Sequence, residues 1–508
     1  MTDHHDVLII GAGLSGISAA VHLAQAFPEK TVTILEQREA MGGTWDLFRY
    51  PGVRSDSDMY TLGFAFKPWE HTKAIADGWT IRDYIHAAAA EHGIDQTIRY
   101  GHKVIAADWD SARARWTVTV EVAGGERLCL TAQFLHFGAG YYSYTRPHRP
   151  AFPGEERFSG QIVHPQFWPE ELDYAGKRVV VIGSGATAMT LVPALAASAA
   201  KVTMLQRSPT YVIALPAEDD LANLLRRVLP AGLAYRLTRA NHLALTFASY
   251  QYFRRAPRRA KATIRRMQER MLPEGYPIDV HFSPSYDPWD ERLCIVPNGD
   301  LFRALREGNA EIVTDRIDTF TESGIRLVSG QELEADVIVT ATGLTLELFG
   351  GAALSVDGAP VDPAATVSYK GAMLSGLPNL TMTFGYINAS WTLKADLISR
   401  YLTRLIAFMD ERGYSQARPV GPPEPERQPF ITLQSGYVRR MIDQLPRQGL
   451  REPWRVHQSW LADWRLLTRA PLADEGMRFS GTAAGSGQVG DAEASRAGAP
   501  APAAAGVA

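Results

Sequence analysis

A glycine-rich turn between two strand-like segments is the feature that most limits what this chain can fold into. Residues 7–10, Val-Leu-Ile-Ile, form an apolar run, and the turn Gly11-Ala-Gly-Leu-Ser-Gly16 follows at once. Apolar residues then recur at helical spacing up to Pro28, and a second apolar run over 31–35 ends at Glu36. This order predicts a dinucleotide-binding unit, because the glycines let the backbone approach a pyrophosphate and the acid can bond ribose hydroxyls.

A second unit of the same kind begins at residue 179. The apolar run 179–182 precedes Gly183-Ser-Gly-Ala-Thr-Ala-Met189, and a helix to about residue 199 and a strand over 202–206 are predicted to follow. The second strand here ends at Arg207-Ser208 instead of an acid. Arginine can pair with a 2′-phosphate that an acid would repel, so we predict NADPH at this turn and FAD at the first. The alternative for Arg207 is an ordinary solvated arginine.

The two units together predict an α/β protein made of two doubly wound, Rossmann-like dinucleotide-binding domains. We expect a FAD-binding domain in two parts, 1–145 and 336–480, with the NADPH-binding domain, 146–335, inserted between them. A small antiparallel layer is predicted over 104–120, with strands at 104–109 and 116–120. Further strands are predicted over 311–314 and 337–340, a helix over 393–409 and a loop over 415–429. The tail, 481–508, is rich in Gly, Ala and Pro and is predicted to be disordered.

Residues 221–270 differ in composition from the rest of the second unit. They contain twelve Arg or Lys and a single acid, Glu269, with leucines at helical spacing. We predict a helical insertion over about 215–290. A solvated basic face is the simplest interpretation, and a substrate lid or a peripheral contact with a membrane surface are alternatives.

Charge and cysteine content exclude several classes of protein. A formal net charge of -3 offers no general case for nucleic-acid binding. The two cysteines, Cys129 and Cys294, form no close pair, which argues against a disulfide scaffold, a cysteine metal site and a dithiol reductase, and the histidines show no metal-ligand spacing. No segment has the roughly 18 apolar residues of a transmembrane span, and no signal peptide is recognisable, so we expect a cytoplasmic protein. Without paired cysteines to accept electrons from a reduced flavin, O2 is a plausible acceptor.

A stretch of irregular sequence lies just before the second glycine turn. Residues 158–170 read Phe-Ser-Gly-Gln-Ile-Val-His-Pro-Gln-Phe-Trp-Pro-Glu. Gly160, Pro165 and Pro169 interrupt any helix or strand pattern, so we predict an ordered loop. We call residues 158–170 the connecting segment.

The motifs taken together resemble class B flavoprotein monooxygenases, and within them the type I Baeyer–Villiger monooxygenases. The connecting segment fits the pattern F-x-G-x-x-x-H-x-x-x-W-P of that group. Both glycine turns, Gly-Gly-Thr-Trp at 42–45, Tyr-Pro-Gly at 50–52 and Ala-Thr-Gly at 341–343 occur in the order of the family, over about residues 5–480. The resemblance implies FAD, NADPH and O2 as reactants. It implies small-molecule ketones, or sulfur compounds such as thioethers and thioamides, as substrates.

The resemblance also implies a reaction. NADPH reduces FAD, oxygen adds at flavin C4a, and the peroxide attacks a ketone to give an ester or lactone. Arg292 would be the catalytic cation beside the peroxide, and Asp56 would orient Arg292. The arginine follows a lysine in the family, whereas Glu291 precedes Arg292 here, so one usual contact to the 2′-phosphate is missing. The alternative is an N- or S-monooxygenase that uses a protonated hydroperoxyflavin and does not oxidise ketones.

The cofactor-binding roles of the family carry over to single positions of this sequence. The residues implied to bind FAD are Gly11, Gly13, Leu14, Ser15, Gly16, Glu36, Gly43, Thr44, Trp45 and Val104. Those implied to bind NADPH are Gly183, Ser184, Gly185, Ala186, Thr187, Ala188, Met189, Arg207 and Ser208. Arg54, Ser55 and Asp56 would lie between the flavin and the nicotinamide. Phe158, Gly160, His164 and Trp168 belong to the signature pattern of the family. Gly160, His164 and Trp168 would form a hinge that couples movement of the NADPH-binding domain to the flavin site, with no catalytic role for His164.

Overall fold

The structure is a computed structural model that describes residues 3–291, 293–422 and 428–481. Two predictions fall largely outside these residues. The predicted catalytic Arg292 is not among them, and neither is the predicted disordered tail from residue 482 onward.

A nine-stranded sheet carries the first glycine turn. Strand Asp3–Ile10 runs parallel to Val32–Leu35 on one side and to Arg127–Phe137 on the other. The predicted strands over 104–109 and 116–120 are present, but they extend this sheet instead of forming a separate layer, because Arg127–Phe137 pairs with both halves. The neighbouring strands follow the order Ala359–Pro360, Ala353–Val356, His102–Asp110, Arg115–Val122, Arg127–Phe137, Asp3–Ile10, Val32–Leu35, Ile98–Arg99, and Leu380–Met382 also pairs with Arg127–Phe137.

A five-stranded parallel sheet carries the second glycine turn. Its order is Ala310–Thr314, Lys201–Gln206, Arg178–Ile182, Val337–Thr340, Gln161–Val163. Four of these strands are the predicted ones. The fifth corrects the loop prediction for the connecting segment, because Gln161–Val163 pairs with Val337–Val339 at the edge of the sheet and Pro165–Phe167 forms a 3₁₀ turn. A three-residue edge strand is too short to leave a periodic pattern in the sequence.

Helices follow both glycine turns, as predicted, and the insertion is helical. The helices are Leu14–Ala26, Thr44–Leu47, Met59–Leu62, Gly78–Glu91, Ala186–Leu195, Asp220–Val228, Ala231–Arg255, Pro257–Met271, Ile278–His281, Asp300–Glu307, Trp391–Arg412, Gly436–Arg439 and Trp460–Thr468. The predicted α/β class, with two doubly wound units and a helical insertion, is confirmed. The exact domain bounds stay a prediction.

Short strands complete the architecture. They are Tyr142–Pro147, Tyr211–Leu215, Leu293–Pro297, Ile317–Thr321, Gly324–Leu327, Glu332–Glu334, Leu344–Leu346, Ser368–Tyr369, Met373–Leu374, Gln416–Pro419, Gln428–Pro429, Arg447–Gln448 and Met477–Ser480. The loop prediction for 415–429 is wrong at both ends, since Gln416–Pro419 pairs antiparallel with Met477–Ser480 and Gln428–Pro429 pairs antiparallel with Arg447–Gln448. Residues 423–427 lie outside the described residues. Strands Tyr142–Pro147 and Leu344–Leu346 pair where the chain passes between the two sheets, so we call them the crossing ribbon.

The insertion packs against the first unit through its longest helix. Tyr235 Oη donates to the carbonyl of Phe64 at 2.9 Å, and Arg239 Nη1 donates to the carbonyl of Tyr60 at 2.6 Å. Its outer face also exposes large apolar side chains: Leu221, Leu224, Val228, Leu233, Leu237, Leu245 and Phe247. None of the described helices is both long and apolar enough to span a bilayer.

Each glycine turn is pressed against a strand end made of small residues. A side chain on Gly16 would overlap the carbonyl oxygen of Gly11, and one on Gly11, where φ is +97°, would lie 2.9 Å from the Cα of Ala139. Gly183, where φ is +135°, meets the carbonyl of Ala341 in the same way. The small residues at 341–343 therefore allow a close approach between two backbones.

We expect Gly16→Ala to lower the free energy of unfolding by about 3 kcal/mol or more, at the upper end of the usual cost of overpacking. The obstructing atoms are backbone, so no side chain can move aside. Urea unfolding measures the change. Gly232→Ala is the matched control, since a Cβ there meets nothing within 4 Å, and it should change stability by less than about 1 kcal/mol. Equal stability of the two variants would refute the contact.

Candidate active site

A single cleft, with a volume of about 340 Å³, is lined by residues of both units. The carboxyl ends of strands Asp3–Ile10 and Arg127–Phe137 open into it, and so does the start of helix Ala186–Leu195. Predicted site residues that line the cleft are Gly11, Gly13, Leu14, Ser15, Glu36, Gly43, Thr44, Trp45, Arg54, Ser55, Asp56, Val104, Ala186, Thr187 and Met189. The structure thus brings together, in one cleft, most residues predicted to bind FAD and part of the second turn.

Other predicted residues lie outside the cleft lining. Gly16 packs against the carbonyl of Gly11, Gly183 packs against the carbonyl of Ala341, and Ala188 is buried in the core. Ser184 and Gly185 belong to the second turn, and Arg207 and Ser208 lie beside it, with Ser184 Oγ donating to the carbonyl of Ser208 at 3.0 Å. The connecting-segment residues Phe158, Gly160, His164 and Trp168 do not line the cleft.

The helices that follow the two glycine turns begin without a side-chain cap. Gly13 and Gly185 hold the cap positions, and neither helix receives a side-chain hydrogen bond there. Most other described α-helices also lack such a cap, and Asp58 and Asp219 are the exceptions, each accepting a backbone N–H. What distinguishes the two turns is glycine at the cap position, which lets an anion approach the first amides and the positive end of the helix dipole. Both starts therefore fit the pyrophosphate of a dinucleotide.

Glu36 lies at the end of the second strand, as its spacing predicted. Its side chain is buried, with Oε2 accepting from the Ala12 amide at 2.8 Å and Oε1 accepting from the Arg38 amide at 2.9 Å. Burial raises the pKa of Glu36, although both backbone hydrogen bonds and the Arg38 charge act in the opposite direction. The carboxylate is thus held rigidly at the cleft wall, and each oxygen keeps acceptor capacity for a ribose hydroxyl.

An aromatic wall that the sequence analysis missed faces the first glycine turn. Trp391 Nε1 donates to Ser15 Oγ at 2.8 Å, and Tyr141 stacks on Trp391 with ring centroids 5.2 Å apart. Phe384 contacts both rings, and Tyr142 bonds Thr44 Oγ1 at 2.8 Å. These residues all line the cleft. The run Tyr-Tyr-Ser-Tyr at 141–144, directly after the glycines at 138–140, is the sequence signal that points to such a wall.

The segment Tyr50–Asp56 belongs to the first unit in sequence but packs on the second. Tyr50 and Val53 are buried in the second hydrophobic core. Arg54 makes a two-pronged ion pair with Asp300, Nη1 to Oδ2 at 2.5 Å and Nη2 to Oδ1 at 3.2 Å. Asp300, at the start of helix Asp300–Glu307, is a residue that sequence reasoning missed. Asp56 lines the cleft, and its predicted pairing with Arg292 stays a prediction because Arg292 is outside the described residues.

Arg207 and Ser208 are exposed at the end of strand Lys201–Gln206, where the fingerprint predicts a phosphate contact. Glu291 lies within the electrostatic reach of Arg207. Burial raises the pKa of Glu291, while the guanidinium groups of Arg439 and Arg207 oppose that rise. A carboxylate that interacts electrostatically with Arg207 weakens the local positive field that a 2′-phosphate would meet.

The connecting segment is tied to the crossing ribbon and to the second sheet. Gln166 Nε2 donates to the carbonyl of Ser143 at 2.9 Å, and Thr340 Oγ1 donates to the carbonyl of Val163 at 3.2 Å. Phe158 packs edge-on against Phe320, and Trp168 contacts the second core. Burial lowers the pKa of His164 to about 4, so the imidazole is neutral near pH 7. The segment therefore sits where the two units join.

A buried ion pair stands behind the cleft wall. Lys394 Nζ lies 2.8 Å from Asp463 Oδ2, and Tyr386, which lines the cleft, donates its hydroxyl to the same oxygen at 2.7 Å. Burial lowers the pKa of Lys394, and Asp463 opposes that shift. Removing one partner of such a pair leaves an uncompensated buried charge. Because Asp463 lies in helix Trp460–Thr468, is paired with Lys394 and accepts from Tyr386, the pair fixes Tyr386 relative to that helix.

Comparison with known proteins agrees with this geometry. A family model described as pyridine nucleotide-disulphide oxidoreductase matches residues 5–232. Both cysteines of this chain are free, Cys129 exposed and Cys294 buried. Among solved structures, oxidised steroid monooxygenase bound to NADP has a TM-score of 0.75 at 22% identity, covering 94% of this chain and 100% of that one. The open crystal structure of cyclohexanone monooxygenase has a TM-score of 0.69 at 20% identity, covering 82% and 90%. These structures share the fold.

Curated relatives are much closer in sequence. The FAD-containing monooxygenase EthA of Mycobacterium tuberculosis (strain ATCC 25618 / H37Rv) is 54% identical over 94% of this chain and 98% of its own length. The putative FAD-containing monooxygenase MymA of the same strain is 50% identical, covering 95% and 99%. The probable FAD-binding monooxygenase AlmA of Acinetobacter baylyi is 45% identical, covering 94% and 97%. The predicted resemblance to flavoprotein monooxygenases is thereby confirmed, and the chain belongs to the family of FAD-containing monooxygenases.

Proposed function

We propose that this flavin monooxygenase uses FAD, NADPH and O2 to convert small-molecule ketones to esters or lactones, in the manner of a Baeyer–Villiger monooxygenase. We include thioethers and thioamides among its substrates. The observation that carries the proposal is that the helices after both glycine turns begin at the same cleft, with Gly13 and Gly185 at their cap positions. Such an arrangement suits two dinucleotides that exchange a hydride.

FAD fits the first turn. The uncapped amides behind Gly13 would hold its pyrophosphate, and Glu36 would accept hydrogen bonds from its ribose. Gly43 lies against Gly13, where a Cβ on either would come within 3.5 Å of the other backbone, so this part of the cleft is left open by the lack of side chains. Trp45 and the aromatic wall offer flat apolar faces to a ring system. Val104 would meet the adenine through its backbone.

NADPH fits the second turn. Residues Gly183–Met189 would hold its pyrophosphate, and Arg207 with Ser208 would hold the 2′-phosphate. Gly185 leaves open space, since a Cβ there would meet nothing within 4 Å. Arg54 to Asp56 lie at the junction of the two units and would separate flavin from nicotinamide.

Bound FAD accepts hydride from NADPH and activates O2, and the protein supplies position and charge for that chemistry. Arg292 would stabilise the negative charge that develops during oxygen transfer, because a fixed cation is most effective where water is excluded. Asp56 would orient Arg292 by pairing with it. The aromatic wall would exclude water from the flavin side of the cleft.

We also propose that the insertion makes peripheral contact with a membrane surface. The exposed leucines of helices Asp220–Val228 and Ala231–Arg255 lie in a segment with twelve basic residues. Apolar side chains among arginines are typical of a face that rests on anionic lipid headgroups.

Product analysis tests the proposed reaction. The enzyme is incubated with NADPH, ¹⁸O2 and either a methyl ketone or a thioether. An ester carrying one labelled oxygen atom supports the proposal, whereas sulfoxide without ester supports the alternative, an N- or S-monooxygenase. If NADPH never bleaches the flavin absorbance in a stopped-flow experiment, both activities are refuted.

We expect Arg292→Ala to retain FAD but to lower ester formation by about 10²- to 10³-fold, the usual effect of removing one charge-stabilising group. Flavin content is read from its absorbance, and the ester is quantified by gas chromatography. Arg303→Ala, at an exposed position of helix Asp300–Glu307, is the control and should keep the wild-type rate. Full ester yield from Arg292→Ala would remove Arg292 from the mechanism.

Arg207→Ala should weaken NADP⁺ binding by about 10- to 100-fold, since a hydrogen bond to a charged group contributes about 1.5–3 kcal/mol. NAD⁺, which lacks the 2′-phosphate, should bind almost unchanged. Titration calorimetry measures both affinities, with Arg113→Ala in an exposed turn of the first unit as control. Equal losses for the two nucleotides would contradict the phosphate contact.

His164→Ala should slow turnover while both cofactors stay bound, because a hinge residue affects the movement between domains and not the binding groups. Steady-state kinetics and flavin content are measured on the same preparation. Loss of FAD from this variant would mean that the connecting segment is only structural.

A further inference from the structure

His242, on the longest helix of the insertion, lies between two carboxylates from different parts of the chain. Its Nδ1 is 3.3 Å from Oδ1 of Asp58, and its Nε2 is 2.6 Å from Oδ2 of Asp219. The three side chains are 15%, 17% and 19% exposed. The imidazole also contacts the Tyr60 ring, with centroids 5.0 Å apart. We call His242, Asp58 and Asp219 the histidine clamp.

The protonated imidazole suits both contacts of the clamp. Nε2 shares a hydrogen bond with Asp219, and Nδ1 lies at ion-pair distance from Asp58. Each carboxylate can only accept, and a neutral imidazole has a single N–H. In the neutral form one nitrogen lone pair would therefore face a carboxylate oxygen, which is repulsive, so the two carboxylates favour the cation.

Charged groups of both signs surround His242, and the two carboxylates of the clamp are the closest of them to its ring. Asp58 and Asp219 face the two ring nitrogens directly, and Tyr60 lies on the ring face. From the same helix, Arg239 donates to the carbonyls of Tyr60 and Gly63, and its guanidinium group lies over the ring of Tyr235. Further charged groups next to this cluster are Glu218 and Arg226 from the start of the insertion, and Asp396 with its partner His22 from the first unit.

Two walls of the cleft are attached to Asp58. Asp56, two residues earlier in the chain, lines the cleft together with Arg54 and Ser55. Asp58 also accepts from Thr61, through the amide at 2.9 Å and the hydroxyl at 2.7 Å. The Thr61 hydroxyl in turn lies 2.7 Å from Ser390 Oγ, next to Trp391 of the aromatic wall.

We propose that His242 is a positioning residue for the flavin reaction. As an imidazolium between Asp58 and Asp219, it holds the insertion against residues 54–61 and so fixes both cleft walls in the arrangement that permits hydride transfer. Loss of its proton releases the clamp. This inference rests on the proposed reduction of FAD by NADPH.

The direction of the pH effect follows from the surroundings of His242. Burial lowers the pKa of His242, but the hydrogen bonds and charges of Asp58 and Asp219 outweigh burial, and the pKa is raised above its ordinary value. A raised pKa in the folded state stabilises the protein fully below the ordinary histidine value of about 6.5. That contribution is lost as the pH rises through the raised value. The clamp is therefore closed in mildly acidic solution and released at alkaline pH.

Two variants separate the charge of His242 from its size, and a third variant is the control. In stopped-flow reduction of FAD by NADPH between pH 6 and 9, the wild-type rate should fall about tenfold, near the lower limit for losing one charge-assisted hydrogen bond. His242→Gln keeps hydrogen bonding without the charge, so its rate should be low and flat. His242→Arg keeps a cation throughout this range and should give a high, flat profile. His281→Gln, a half-buried histidine bonded to Thr314 and away from the clamp, should keep the wild-type profile.

Urea unfolding gives a readout that does not depend on activity. The stability difference between wild type and His242→Gln should be largest at pH 6 and should vanish by pH 9. A wild-type reduction profile retained by His242→Gln overturns the positioning role. A pH-independent stability difference overturns the clamp itself. If NADPH fails to reduce wild-type FAD at any pH while the stability difference behaves as expected, the proposed reaction and the positioning role fall and the clamp stands as a structural contact.

Discussion

The contact between two backbones at each glycine turn is the constraint on which the rest of the structure depends. Gly16 lies on the carbonyl of Gly11, and Gly183 lies on the carbonyl of Ala341, with no room for a Cβ. These contacts bring the start of each following helix to the carboxyl ends of the parallel strands at the centre of its sheet. The amides at these helix starts have no side-chain cap, so they remain available to an anion. The close packing that defines the fold therefore also shapes the two turns at which we propose the nucleotides bind.

The segment around Arg54 mechanically joins the two units. Arg54 is paired with Asp300, and Gly52 touches helix Ala186–Leu195, where a Cβ would come 2.6 Å from the Thr190 carbonyl. Displacement of that helix must therefore move residues 52–56, which line the cleft. On the other side of the same segment, Asp58 is tied to the insertion through His242. The cleft wall that carries Asp56 is thus held from two directions, once by helix Ala186–Leu195 and once by the histidine clamp.

Local pattern was sufficient to predict most of the regular structure. Both strand–turn–helix units, the insertion and the position of Glu36 follow from hydrophobic periodicity, glycine placement and spacing, which act over fewer than about 30 residues. The errors fall where pairing partners are distant in the chain. Gln161–Val163 becomes a strand only by pairing with Val337–Val339, and Gln416–Pro419 only by pairing with Met477–Ser480. Neither segment is long enough to show a period of its own.

By itself, the sequence determined the fold class and the two nucleotide fingerprints. It also determined the charge that follows the second strand of each unit, which is negative at Glu36 in the first unit and positive at Arg207 in the second. These features depend on neighbours in the chain and on residue chemistry. Only the tertiary structure decided what surrounds the cofactor cleft. Trp391 meets Ser15, Asp300 meets Arg54 and Asp463 meets Lys394 across large separations in sequence. Such contacts arise from the packing of elements already formed, because the side chains meet only after the sheets and helices have settled against each other, and no local pattern encodes them.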